Sequence, residues 1–143
     1  MRSDANIQAV KDIYAAFQTG DIPAILAVLA DEVEWSHPGA PDLPFAGTTR
    51  GREGAAAFFQ KLGAALDFRA FEPTAYLSEG EEVAAFGHYE ALDRTSGRAA
   101  QDAWAMRWTF RGGKVVRWQG YTDTLSAAKA LGSVQSVPAG APA

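Results

Sequence analysis

The chain has 143 residues, a formal net charge of −4 and no cysteine. That length suits one domain, able to bury roughly two thirds of the surface its unfolded chain would expose. The composition supplies no thiol for disulfide or thiolate chemistry, no basic block to meet nucleic acid and no apolar run long enough for a membrane span. The opening Met1-Arg-Ser-Asp-Ala-Asn6 lacks the apolar core of a signal peptide, so a cytoplasmic protein is expected.

Ile7, Val10, Tyr14 and Phe17 recur at helical spacing behind Asp4, a side chain suited to an N-cap, and Gly20 stops the run. Asp21 followed by Pro23 starts a second helix, apolar over much of its surface through Ile22, Ile25, Leu26, Val28 and Leu29. A short strand over 33–37 comes next, then a loop carrying Pro38, Gly39, Pro41 and Pro44. The spacing predicts a third helix from about Arg52 to Leu66, with Phe58, Phe59 and Leu62 on its buried stripe.

From Phe68 the apolar period changes to two. Strands are predicted over 68–78, 82–93, 99–110 and 115–124, turned at Glu79-Gly80, Thr95-Ser96-Gly97 and Gly112-Gly113. The paired glycines suit a two-residue hairpin, whose turn needs positive φ. Consecutive strands joined by short turns are antiparallel. Helices followed by a meander make an α+β fold, with the helices covering one face of the sheet. Residues 1–131 read as a single domain and 132–143, small and rich in Pro and Gly, as a flexible tail.

The strand faces carry the functional argument. In 99–110, Trp104, Met106, Trp108 and Phe110 share one face, and Ala103, Ala105, Arg107 and Thr109 the other. The first set forms a broad apolar floor. Packed core is the commoner role for any one of these residues; lining an apolar pocket is the functional one. In the first strand His37 points the same way as Val33 and Trp35, at the mouth of the Pro-rich loop.

Strand 82–93 allows two readings. With Ala84, Phe86, His88, Glu90 and Leu92 inward, His88 and Glu90 enter the interior roughly 6–7 Å apart. With Val83, Ala85, Gly87, Tyr89 and Ala91 inward, both face solvent. The first reading leads narrowly. In the last strand Val116 and Trp118 suggest one buried face, whereas Val115, Tyr121 and Asp123 lie on the other; Gly120 could mark a bulge that switches them.

Four stretches then carry a family resemblance: Tyr14-Ala-Ala-Phe-Gln-Thr-Gly-Asp21, Leu29-Ala-Asp-Glu-Val-Glu-Trp35, Gly47 to Gly51 ahead of a helix, and Phe110-Arg-Gly-Gly-Lys-Val-Val-Arg-Trp-Gln-Gly-Tyr-Thr-Asp123. Their order resembles the nuclear transport factor 2-like superfamily, and within it the SnoaL-like branch of polyketide cyclases, steroid isomerases and limonene epoxide hydrolases. The resemblance spans about Ile7 to Leu131. It implies a curved antiparallel β-sheet wrapped around three N-terminal helices, a cystatin-like α+β barrel enclosing a conical apolar pocket. It also implies a homodimer formed through the outer sheet face.

Catalytic positions transfer one by one. The steroid isomerases' base aspartate, placed before a proline at the end of the first strand, corresponds to His37 before Pro38. Their tyrosine and acid fall near Ile13 and Met106, neither of which can donate a proton, so a true ketosteroid isomerase is not expected. The epoxide hydrolases' last-strand aspartate matches Asp123, and their Arg-x-Asp pair aligns with His88-Tyr-Glu90. That exchange gives up arginine's permanent charge and fork geometry. The acid/base aspartate of the polyketide cyclases also fits Asp123.

The expected function is a cofactor-independent acid–base enzyme acting on a small apolar substrate. Asp123 or Glu90 would be the base, its pKa raised by the apolar surroundings, and His88 would orient it or donate a proton. Tyr14, Trp35, His37, Trp104, Met106, Trp108 and Tyr121 would bind the substrate. The alternative is a non-catalytic ligand-binding or dimeric interaction module. A metal held by His37, His88 and a carboxylate is disfavoured, because the histidines have no motif spacing.

Overall fold

The fold is taken from a computed structural model of the chain, which describes residues 2–132. Helix α1 (Arg2–Thr19) ends where Gly20 takes a φ of 78°. The Asp21 side chain then accepts a hydrogen bond from the Ala24 backbone N–H at 3.3 Å and starts α2 (Ile22–Ala27), with Pro23 in the first turn. This helix is shorter than its apolar run suggests: Leu29, fully buried, already opens strand β1 (Leu29–His37).

A second strand, β2 (Gly47–Arg50), pairs antiparallel with β1 from Glu34↔Arg50 to His37↔Gly47. All of its residues are exposed, so it has no apolar alternation to betray it. Helix α3 (Arg52–Ala65) leads into β3 (Leu66–Glu79), β4 (Glu82–Asp93), β5 (Ala99–Arg111) and β6 (Lys114–Thr122). The chain closes with α4 (Thr124–Ala130), which replaces the expected end of the last strand. Among the described residues no helix is long and apolar enough to cross a membrane. The tail expected over 132–143 lies, apart from Gly132, outside the described residues.

The six strands form one open sheet in the order β2-β1-β6-β5-β4-β3. Strands β3 to β6 make the expected antiparallel meander, and Gly112 and Gly113, with φ of 59° and 80°, close its last hairpin. One pairing departs from the antiparallel expectation: β1 runs parallel to β6, with Trp35 beside Trp118. Helices α1 and α3 cover the inner face, burying Val10, Ile13 and Tyr14 from one and Ala55, Phe58 and Leu62 from the other. Each large apolar side chain so buried contributes roughly 1.5–3 kcal/mol.

Two ambiguous strands resolve. In β4 the inward set is Val83, Ala85, Gly87, Tyr89 and Ala91, so the reading that put His88 and Glu90 inside is overturned. Gly87 shows why: it pairs with Trp104, and a Cβ there would sit 2.4 Å from the indole ring and 2.3 Å from the Glu72 carbonyl oxygen. Only a residue without a side chain leaves room for that indole. In β6 the bulge falls at Val116, between the pairs Phe110↔Val115 and Thr109↔Arg117, rather than at Gly120. The extra residue lets Val115 and Trp118 both face inward.

Candidate functional site

Aromatic packing against the inner face leaves a cavity with about 100 Å³ open to the centre of a water-sized sphere. Strand β5 contributes Trp104, Met106 and Trp108; β1 contributes Trp35 and His37; β6 contributes Trp118. Helix α1 supplies Tyr14 and Phe17, α3 supplies Phe58 and Phe59, and β3 supplies Phe68 and Phe71. Rings meet rings throughout: Trp35 stacks on Trp118 at 4.4 Å and 21°, and Phe71 on Trp104 at 4.9 Å and 11°. Among the described residues no Asp, Glu, Lys or Arg lines the cavity. Such a wall suits an uncharged guest with flat faces.

Polar groups interrupt it at several points. The indole N–H groups of Trp35, Trp104 and Trp118 are buried in the wall without an acceptor. Tyr14 is buried, and its oxygen accepts a hydrogen bond from Trp108 Nε1 at 2.9 Å while its own hydroxyl donates to Met106 Sδ at 3.3 Å. Burial pushes this phenol far above its ordinary pKa, outweighing the opposing effect of the Trp108 N–H, so it stays protonated. His37 is wedged among Phe45, Phe58 and Trp118, with Nδ1 2.7 Å from the carbonyl oxygen of Pro38. Burial lowers its pKa below the ordinary 6.5, against the opposing pull of that carbonyl.

A match to the SnoaL-like domain covers residues 10–118, most of the chain. The chain belongs to the SnoaL-like family. A nuclear transport factor 2-like protein from Burkholderia xenovorans LB400 is 36% identical, with a TM-score of 0.81 over 90% of this chain and 97% of that one. Another, of unknown function, from Burkholderia pseudomallei K96243 is 28% identical, with a TM-score of 0.83 over 89% and 97%. TerC, co-crystallised with polyporic acid, is also 28% identical, with a TM-score of 0.79 over 90% and 98%. No curated protein matches the chain.

Within this SnoaL-like framework the two groups of expected site residues part company. Tyr14, Trp35, His37, Trp104, Met106 and Trp108 line the cavity; Tyr121 borders it, but its pairing with Ala105 turns its half-exposed side chain to the outer sheet face. Asp123, His88 and Glu90 do not line it. His88 and Glu90 are exposed on the outer sheet face because the parity of β4 turns them there. Asp123 is exposed at the start of α4, its side chain accepting the Leu125 N–H at 2.9 Å as an N-cap. Its own N–H donates to Asp102 Oδ2 at 3.1 Å. The structure therefore does not bring the expected carboxylate–imidazole set together in the cavity. His37 and His88 lie on opposite faces of the sheet, and among the described residues no three His, Asp or Glu side chains converge as a metal site would require.

The sequence reading missed Leu43 and Phe45, which line the cavity from the Pro-rich loop, and Thr124 and Ala127 of α4. An apolar pair inside a proline-rich loop was the available signal for the first, and an Asp followed by helix-forming Leu and Ala for the second.

Proposed function

We propose that the cavity takes a small, uncharged, ring-bearing molecule and that His37 is the base that exchanges a proton with it. The hydrogen bond of His37 Nδ1 to the Pro38 carbonyl carries this reading. A carbonyl only accepts, so Nδ1 keeps the proton and Nε2 holds the lone pair. The lowered pKa keeps the ring neutral, and so basic, at neutral pH. In a wall without carboxylates, this imidazole is the group suited to take a proton from a carbon next to a carbonyl, and to return it elsewhere on the molecule. The co-crystallisation of the similar TerC with polyporic acid supports a small-molecule role.

The test is α-proton exchange of an enolisable bicyclic ketone, 2-tetralone, in D2O, followed by NMR. Wild type should accelerate exchange, and His37→Gln should cut that acceleration by about 10²-fold or more while binding of the ketone persists. The rate should stay level from pH 8 to below 6.5, falling only as the lowered pKa is reached, because protonation removes the base. Binding without exchange in the wild type would leave a non-catalytic binding module. That second reading is favoured by the exposure of Asp123, His88 and Glu90.

We further propose that two copies pair through the outer sheet face. Ala75, Phe86, Ala105 and Tyr121 form a row of partners across β3, β4, β5 and β6, and Leu77 next to it is 65% exposed. Phe86→Glu should convert a dimer to a monomer in sedimentation; a wild-type monomer would remove the proposal.

A further inference from the structure

Two glycines on the inner sheet face have no backbone reason to be there. Gly87 of β4 and Gly120 of β6 are buried inside strands, and neither has a positive φ. The bulge of β6 falls at Val116, so Gly120 serves no bend. Glycine weakens a strand interior, and in a regular strand it marks a place where another group lies close to the backbone. At both positions that group is an indole: Trp104 over Gly87 and Trp118 over Gly120. We infer that Gly120 is a positioning residue for Trp118 and thereby sets substrate size: it lets the indole lie close against the sheet, which keeps room beside His37 for the second ring of a fused-ring ketone. This rests on the proposal that the cavity holds a ring-bearing ketone with His37 as its base, and it adds the shape that ketone must have.

The geometry places the constraint at the reacting end of the cavity. A Cβ at Gly120 would lie 2.9 Å from Trp118 Cη2 and 3.1 Å from Cζ2, closer than carbon atoms pack, and 3.7 Å from His37 Cδ2. Cδ2 is bonded to Nε2, the nitrogen left with the lone pair, so this spot borders the base itself. Trp118 has no sideways escape, because Trp35 stacks on it at 4.4 Å and Phe58 stands 5.4 Å away. A methyl group would therefore push the indole off the sheet and into the cavity beside His37, whose ring centre lies 6.0 Å from that of the indole. Gly120, Trp118 and His37 all line the cavity. The indole and imidazole planes differ by only 30°, so the space they border suits the flat edge of a fused ring. Gly87 makes room for Trp104 in the same way, but His37 packs against Phe45, Phe58 and Trp118 instead.

The experiment compares α-proton exchange of 2-tetralone, which has two fused rings, with that of cyclohexanone, which has one. Wild type should favour 2-tetralone in kcat/KM, and Gly120→Ala should cut that preference about tenfold or more. Introduced beside Trp118→Phe, the same alanine should change the preference far less, because the shorter ring does not reach the methyl group. In the wild type itself, nuclear Overhauser contacts from the aromatic protons of bound 2-tetralone should reach both Trp118 Hζ2 and His37 Hδ2. The inference is overturned if Gly120→Ala slows both ketones alike, which is the mark of a merely structural role. It is overturned equally by an alanine effect of full size in both backgrounds, or by contacts to His37 with none to Trp118. Should wild type bind 2-tetralone without exchanging it, the reading of His37 as base falls, and the ratio of the two ketones' affinities then decides the role of Gly120 by the same comparison. Failure to bind either ketone would bring down the cavity reading, and this inference with it.

Discussion

Strands β4 and β5 present two chemically opposite surfaces. Inward they carry Val83, Ala85, Gly87, Tyr89, Trp104, Met106 and Trp108 against an uncharged cavity. Outward they carry Glu82, His88, Glu90 and Arg107, with Glu82 paired to Arg107 and accepting from Thr109 Oγ1 at 2.6 Å. That pairing, led by the Arg107 hydrogen bond, draws the Glu82 carboxyl down to about 2. The ionic row continues across the sheet, Arg117 meeting Glu34 at 3.2 Å and Arg50 meeting the same carboxylate at 3.6 Å. The contrast teaches that strand parity, more than residue type, decides whether a titratable side chain can do chemistry here. One step along β4 separates Tyr89 in the cavity wall from His88 in solvent.

Three variants break or sharpen that contrast. The largest effect is expected from Gly87→Ala, which brings a methyl group against the Glu72 carbonyl and the Trp104 ring. It should cost about 1–3 kcal/mol in denaturant unfolding and disturb ligand binding together, since the inner face has no slack. Asp123→Ala removes the N-cap of α4 and should cost about 1 kcal/mol, with proton exchange on 2-tetralone retained. Loss of exchange in that variant would return Asp123 to the chemistry. The smallest change is expected from His88→Ala combined with Glu90→Gln on the outer face: stability within about 0.5 kcal/mol of wild type and unaltered affinity for 2-tetralone.

Legibility in the sequence followed the same division. Strand β5 could be read because four large apolar residues alternate with small or polar ones, leaving a single sensible orientation. The glycine pair at 112–113 announced its hairpin for an equally local reason. In β4 both faces hold small apolar residues with one aromatic each, Phe86 on one and Tyr89 on the other, so hydrophobicity could not choose. The choice was made by an indole on the neighbouring strand, a fact of pairing that no local pattern contains. Strand β2 was invisible because none of its residues is buried. The bulge at Val116 inverted the parity of β6 midway, which turned Val115 and Trp118 to one side against simple alternation. For the site, the aromatic lining was readable and the acid–base set was not. Asp123, His88 and Glu90 were attractive as residue types, but a capping bond and strand parity put them elsewhere.

The parallel seam between β1 and β6 also sets an order of events in time. Trp35 finds its neighbour Trp118 only after β2 to β5 have all been synthesised, and β1 meanwhile has only the four-residue β2 beside it. Contacts so distant along the chain are slow to form, and an unpaired strand edge invites association with other chains while it waits. The cavity therefore cannot close until β6 is in place, and a nascent chain released before Lys114 would lack the strand that joins β1 to β5.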